Sequence, residues 1–380
     1  MKSIVDLETP TLLVDRERLD WNIARMRERL RTLGVAHRPH VKTAKSIDVL
    51  SRIYPHTLPP ITVSTLKEAE YFLAHGVRDI LYAVGIAPSK LPHAANLIRR
   101  GAQLSLVLDN AEAAHTLAAA AAREGVEFRV LIELDVDGHR AGIHPESDLL
   151  LEVGRVVHAG AGTQLVGVMT HAGGAYDCRS DDALRAMAER ERAGAVRAAE
   201  RLREAGLPSP IVSVGSTPTA TFAVDLSGVT EVRAGVYLFQ DLVIAGIGAC
   251  DIEDIALSVL VSVIGHQPEK GWIITDGGWM ALSRDRGTAN QPVDQGFGLV
   301  RDQTGAALPD DLVVISTNQE HGIIARRDGG RANLGSYPVG TLLRVLPNHA
   351  CATGAQHARY EVVVGRSPDL VATWERINGW

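Results

Sequence analysis

Two segments far apart in the chain carry side chains whose types and spacing could do chemistry. RPHVKTAKS, residues 38–46, places Lys42 two residues after His40, so on an extended strand both side chains leave the same side. A desolvated lysine with cationic neighbours has a lowered pKa, which frees the amine to form an imine with a carbonyl; the alternative is a solvated surface lysine. LPNHACATG, in turn, sets His349 and Cys351 one residue apart, again on one face of an extended segment. An imidazole and a thiolate converging on one ion suit Zn²⁺. Two protein ligands leave positions for water or substrate, the pattern of a catalytic metal; the alternative is a buried cysteine beside a capping histidine. NQEHG adds Glu320 and His321 as further or supporting ligands.

Smaller clusters lie between these two. DVDGHRAG, residues 135–142, carries Arg140, whose planar fork fits a ligand carboxylate or ring nitrogen, or else pairs with Asp135 or Asp137 in a structural bridge. THAGGAY, VGSTPT and RAGVY each follow an apolar run. Gly215, Ser216 and Thr217, with Gly235 and Tyr237, form segments small enough for backbone N–H groups to approach a phosphate, although most such loops merely turn.

The elements that must position these groups follow from periodicity. Apolar, β-branched runs end near Val41, Ser64, Ala83, Leu108, Leu134, Met169, Val214 and Ala234, and helix-sized segments such as 66–74, 111–123 and 182–204 separate them. An opening helix takes its apolar face from Leu19, Ile23, Met26 and Leu30 and stops near Gly34. Eight strands each followed by a helix predict a (β/α)8 barrel, with an open doubly wound sheet as the alternative. Catalytic groups then belong on the loops after the strands. From Ile255 onward only strand-like runs recur between Gly, Pro and Asp breaks, which predicts a second, all-β domain. The expected division is a barrel over 11–244 and a β-domain over 245–380 with 1–10.

Composition narrows the partners. The 380 residues carry 39 Lys and Arg against 45 Asp and Glu, a net charge of −6 with no basic block, so neither nucleic acid nor a membrane surface is expected as partner. Small molecules are. Residues 1–10 lack the apolar core of a secretory signal, no run reaches the length of a membrane span, and the 3 cysteines suit a reducing compartment. The expected location is cytoplasmic.

In order along the chain, RPHVKTAKS, ITVSTLKEAE, DVDGHRAG, THAGGAY, VSVGSTPT, EVRAGVYLFQD and LPNHAC together resemble the D-serine dehydratase-like and D-threonine aldolase-like branch of the fold-type III pyridoxal-phosphate enzymes. The likeness runs over essentially the whole chain. It implies an alanine-racemase-like barrel binding pyridoxal 5′-phosphate and a C-terminal β-domain binding a divalent metal, Zn²⁺ first, with Mn²⁺, Co²⁺ or Mg²⁺ as alternatives. By resemblance Lys42 is the Schiff-base lysine and proton-transfer base, whereas Lys45 matches a residue without that role. Arg140 faces the pyridine nitrogen, and Tyr176 contacts cofactor or substrate. Gly215, Ser216, Thr217, Gly235 and Tyr237 belong to the segments that hold the phosphate, and His349 and Cys351 are the metal pair.

The implied activity is elimination of water from a D-3-hydroxy amino acid, D-threo-3-hydroxyaspartate, D-serine or D-threonine, to a 2-oxo acid and ammonia. An arginine, always cationic, does not readily protonate the ring nitrogen, so the ring is a weaker electron sink and prompt loss of the β-hydroxyl is favoured. The amine and the metal must act on one bound amino acid. Retro-aldol cleavage to glycine and an aldehyde is the rival activity, although a His-x-Cys pair looks like the dehydratase side and a carboxylate in the second position like the aldolase side. A racemase lacks an evident second base, and a non-catalytic cofactor carrier leaves the β-domain without purpose. Arg284, Arg286 and His321 are candidates for a substrate β-carboxylate. Relatives are often dimers, so a homodimer is expected with a monomer as the alternative.

Overall fold

The computed structural model describes residues 2–380. Contacts divide the chain into two units, Arg25–Gly235 with Gly379–Trp380, and Val236–Asn378 with the chain up to Ala24. The first elements are β1 (Thr11–Asp15), α1 (Arg16–Thr32), β2 (Ala36–His37), α2 (Ile47–Ile53), β3 (Ile61–Val63), α3 (Leu66–Ala74), β4 (Asp79–Gly85) and α4 (Leu91–Arg99). There follow β5 (Gln103–Leu108), α5 (Ala111–Glu124), β6 (Phe128–Leu134), α6 (Leu149–Ala159), β7 (Thr163–Thr170), α7 (Asp181–Glu204), β8 (Ile211–Val214), α8 (Thr217–Phe222) and β9 (Glu231–Val232).

Strands β2 to β9 form one parallel sheet in the order β2-β9-β8-β7-β6-β5-β4-β3. Its two ends meet. His40 bridges Thr62 in parallel, where Thr62 N–H donates to Pro39 O and Val41 N–H donates to Thr62 O, each at 2.9 Å. The sheet is therefore a closed barrel, as expected, and no edge is left to pair with another chain. Leu81, Val107, Leu131, Val166 and Met169 pack as one buried cluster on its strands. Helices begin where short polar residues cap them: the side chains of Thr65, Asn110 and Ser180 accept the N–H groups of Glu68, Ala113 and Ala183. On α1 the predicted face of Leu19, Ile23, Met26 and Leu30 is buried, and the chain leaves the helix through Gly34 at φ +66°.

A line of charge runs through the barrel. Arg38 donates to Asp79 and Glu231 at 2.8 Å each, Ser213 Oγ donates to the other Glu231 oxygen, and Arg233 donates to Ser213 Oγ and Thr170 O. Buried charges persist only when paired and hydrogen-bonded in this way.

The second unit adds α9 (Leu242–Gly246), β10 (Leu257–Gln267), β11 (Trp272–Thr275), α10 (Trp279–Leu282), β12 (Leu299–Asp302), β13 (Leu312–Thr317), β14 (Gly322–Arg326), β15 (Leu342–Leu346), α11 (Ala350–Gly354), β16 (Arg359–Val363) and β17 (Ala372–Glu375). Strands β10, β15, β12, β13, β14 and β11 pair antiparallel in a ring that returns to β10, which bends at an irregularity between Val263 and Gly265. Bending at such an irregularity lets one long strand serve both ends of the ring. Strand β1 lies beside β10, antiparallel to it and parallel to β16.

The division differs from the expected one at both ends. Residues 11–24 fall outside the barrel because the hydrogen bonds of Thr11–Asp15 go to the antiparallel sheet, and residues 236–244 also cluster with that unit. The all-β reading needs amendment too, because WMAL and ACATG are short helices, α10 and α11.

Candidate active site

Lys42 lies in a turn over residues 41–44, not on an extended strand, so the same-side argument with His40 does not hold. The two are joined differently. Lys42 N–H reaches His40 Nδ1 at 3.5 Å, a long contact that needs the ring proton on Nε2. The Lys42 side chain is exposed, and none of the described acids forms an ion pair with it. Lys45 is the opposite case, because its Nζ lies 3.2 Å from Oε1 of Glu68, a carboxylate sealed from solvent.

Two imidazoles near Lys42 are kept neutral. Desolvation, then the Lys42 charge, lowers His171 to about 3 against the opposing hydrogen bond to Gly215, and the same causes with Arg233 hold His40 well below its ordinary range. His171 Nδ1 donates to Gly215 O at 3.2 Å, because a carbonyl only accepts, which leaves Nε2 as an acceptor. Tyr176 follows in a 3-10 turn over Gly173–Asp177, its ring centroid 6.4 Å from that of His171.

The loops after β7, β8 and β9 come together around Gly215. This glycine has φ +125°, and a Cβ on it would stand 2.5 Å from Arg233 O, so neither backbone nor space admits another residue. Ser216 caps α8 and Thr217 starts it; Ser216 N–H and Oγ are both engaged with Thr219. Gly235 lets the β9 loop pass under the Lys42 turn, since a Cβ there would stand 2.6 Å from His40 O and 3.1 Å from Thr43 Oγ1. Tyr237 is buried in a 3-10 turn of the other unit. Arg140 follows β6 and is half-exposed; its partner is Glu133 at 3.6 Å, not Asp135 or Asp137. Those two acids serve the backbone, Asp135 accepting from Gly138 N–H and Asp137 from Gly174 N–H.

Sequence reasoning missed Glu191 and Arg233. Glu191, buried on α7, accepts Ala172 N–H at 2.9 Å and also reaches Thr219 and Gly215, and burial pushes its carboxyl up. It ties the β7 loop to the β8 loop. Arg233 stood inside a noted motif, yet only the fold reveals it as a buried cation lowered by burial and set among Glu191, Glu231 and Glu133.

In the second unit, His349 has extended backbone and caps α11, with Cys351 in that helix's first turn, so the pair meets at a helix start and not along a strand. His349 Nδ1 bonds Asp285 Oδ2 at 2.9 Å, and Cys351 is a second side-chain partner. Burial alone would lower His349, but Asp285 and Cys351 outweigh it and raise the ring to about 11. The buried Asn348 fixes the approach by donating to Asp285 O and Gly296 O, while Asp241 accepts Ala350 N–H. An imidazole oriented by a carboxylate beside a thiol is a donor set for a soft or borderline divalent cation. Glu320 and His321 are exposed beside the β13–β14 turn, and no group of three candidate ligands forms among the described residues. Arg284 lies over the Trp279 ring; Arg286 lies over Phe297 and pairs with Asp294.

Comparison with known proteins joins these two sites to one family. The alanine racemase N-terminal domain model matches residues 14–242, more than half of the chain. This chain belongs to that family. The serine dehydratase domain model matches residues 256–363 of this alanine-racemase-like chain. D-threo-3-hydroxyaspartate dehydratase of Delftia sp. (strain HT23) is 54% identical, with 100% of this chain and 99% of the relative covered. D-serine dehydratase of Dictyostelium discoideum is 30% identical over 95% and 94%, and 3-hydroxy-D-aspartate aldolase of Paracoccus denitrificans (strain Pd 1222) is 26% identical over 93% and 88%. The solved structure of the Delftia dehydratase superimposes with a TM-score of 0.96 at 53% identity, covering 100% of both chains. Structures also exist of its histidine-to-alanine mutant and of a cysteine-to-alanine mutant in the metal-free form, the two sites standing two positions apart. The dehydratases are the more similar relatives here, and the chain is a lyase of this family. No helix among the described residues is long and apolar enough to cross a membrane.

Proposed function

We propose that this protein is a pyridoxal 5′-phosphate- and divalent-metal-dependent dehydratase that eliminates water from a D-3-hydroxy amino acid, D-threo-3-hydroxyaspartate before D-serine or D-threonine, to a 2-oxo acid and ammonia. The observation that carries it is the contrast between two lysines of one motif, Lys42 exposed beside neutral histidines without an acidic partner and Lys45 tied to Glu68. The barrel residues fit the cofactor: an exposed lysine without an acidic partner, an arginine with spare donors, and a Gly-Ser-Thr helix start. The β-unit residues fit Zn²⁺ through His349 and Cys351. The specific metal is part of the proposal.

When bound, the cofactor supplies a carbonyl for the amine and a conjugated ring for the electron pair released at Cα, and the cation supplies a Lewis acid for the departing hydroxyl. Lys42 Nζ is the group that would hold the cofactor and would take and hold the Cα proton. Neutral His40 and His171 keep further positive charge away from that amine, and His171 fixes the β8 loop through Gly215 O. Arg140 supplies a permanent cation, for which Glu133 competes only at 3.6 Å. Asp285 holds a proton on His349 Nδ1, so Nε2 is the nitrogen that would ligate the cation on giving up its own proton. The three cysteines form no disulfide with one another, which suits a reducing cytoplasm as the location.

The test is product analysis with D-threo-3-hydroxyaspartate, D-serine and D-threonine, with and without chelator. Ammonia and 2-oxo acid that vanish with chelation and in Lys42→Ala are expected. Glycine with an aldehyde, or full turnover in metal-free protein, overturns the proposal.

A further inference from the structure

The turn that carries Lys42 is anchored on both sides. Before it, His40 N–H donates to Ala234 O and Val41 N–H to Thr62 O. After it, Lys45 N–H closes the turn on Val41 O at 2.7 Å, and the Lys45 ammonium reaches Glu68 Oε1 at 3.2 Å. Glu68 is wholly buried at the third position of α3. Its Oε2 accepts Ser64 N–H at 2.9 Å, its own N–H donates to Thr65 Oγ1, and its Oε1 makes no hydrogen bond among the described residues, meeting Lys45 as an ion pair instead. Tyr71 on the same helix accepts Ile47 N–H through its hydroxyl at 3.2 Å. Helix α3 thus grips residues 45–47 at two points.

Stability alone does not account for this arrangement. Lys45 has φ +48°, a left-handed conformation that a lysine rarely adopts and that the surroundings must hold in place. A sealed ion pair is commonly no more stable than apolar residues of the same volume, and its best-attested use is to fix register. The register fixed here is that of a three-residue span ending in the reactive amine.

We propose that Lys45 and Glu68 are positioning residues for the Lys42 amine. The pair clamps the end of the turn to α3 so that Nζ is presented to the cofactor carbonyl from one backbone geometry. This rests on the assignment of Lys42 as the imine-forming lysine. Neither residue of the pair touches the cofactor in this role; both act through the backbone between positions 42 and 45. Displacements of about 1 Å in reacting groups cost up to two orders of magnitude in reactivity.

The experiment uses full-length protein stripped of cofactor and titrated with pyridoxal 5′-phosphate, with imine formation followed by absorbance. Borohydride reduction and peptide mapping then locate the adduct, and the melting temperature of the stripped protein is recorded alongside. The variants are Lys45→Met and the apolar pair Lys45→Met with Glu68→Leu. Expected are a wild-type adduct on Lys42, a melting temperature in the pair at or near that of wild type, and imine affinity at least about tenfold weaker in both variants. Wild-type imine affinity in the folded pair overturns the clamp and leaves Lys42 assigned. An adduct on Lys45 in the wild type overturns both. If the apolar pair does not fold, Lys45→Gln with Glu68→Gln keeps shape and hydrogen-bonding capacity and is read in the same way.

Discussion

Replacing Asp285 by alanine separates the role of the ligand from that of its support. The Asp285 carboxylate is held below its usual range, first by the hydrogen bond from His349, and so stays ionised at neutral pH. It fixes a proton on His349 Nδ1 through the 2.9 Å bond, so that Nε2, once a cation displaces its proton, is the nitrogen that would ligate. Removing such a support typically weakens metal binding about 10- to 100-fold, or roughly 1.4–2.7 kcal/mol. Because the two side chains retain 28% and 45% of their exposure, solvent screens part of the interaction and the lower half of that range applies. The assay is competition for Zn²⁺ between stripped full-length protein and a chromophoric chelator, with circular dichroism as the check on folding. Asp285→Asn, which still accepts from Nδ1 without the charge, should lose less than Asp285→Ala. Wild-type zinc affinity in a folded Asp285→Ala protein would refute the reasoning, because His349 would then need no orienting partner.

Three further outcomes are expected. Gly235→Ala drives a Cβ into His40 O and Thr43 Oγ1, so the Lys42 turn shifts and affinity for pyridoxal 5′-phosphate falls by about tenfold, read by absorbance titration. Glu231→Ala takes one of its two carboxylate partners from buried Arg38, which costs about 3–5 kcal/mol in chemical denaturation, whereas a surface pair such as Arg185 with Asp182 is worth less than about 1 kcal/mol. His37 is depressed to about 4 by desolvation, so the unfolded chain binds the extra proton; its contribution is complete above about pH 6.5 and lost as pH falls toward 4. Urea midpoints between pH 7 and 4 should therefore fall more steeply for wild type than for His37→Asn.

The barrel was legible because most of its strands are apolar runs followed by a helix, β3 to β8 above all, and period survives without knowledge of contacts; the two-residue strands Ala36–His37 and Glu231–Val232 carry no such run. Its closure was not, since it depends on a single bridge from His40 to Thr62 beyond the regular part of β2. The candidate residues were legible as motifs, but their partners were not. Asp285 and His349 are 64 positions apart and Lys45 meets Glu68 on another element, so no local spacing announces either pair. The extended reading of His349 and Cys351 failed because ACATG is too short to show a helical period, and its helix is held instead by Asp241 and Asn348. The alternative that pairs Arg140 with Asp135 or Asp137 rests on closeness in sequence; both acids are occupied by turn N–H groups, and the arginine goes to Glu133.

Strand β1 is made first and finds its place last. It is inserted between β10 and β16, so its two neighbours emerge more than two hundred residues later, after the whole parallel barrel has been synthesised. The segment Thr11–Asp15 therefore waits without its strand partners until those residues have been made. Trimming that segment would leave the barrel's own hydrogen bonds intact and open a gap inside the sheet whose strands β15 and β16 flank His349 and Cys351.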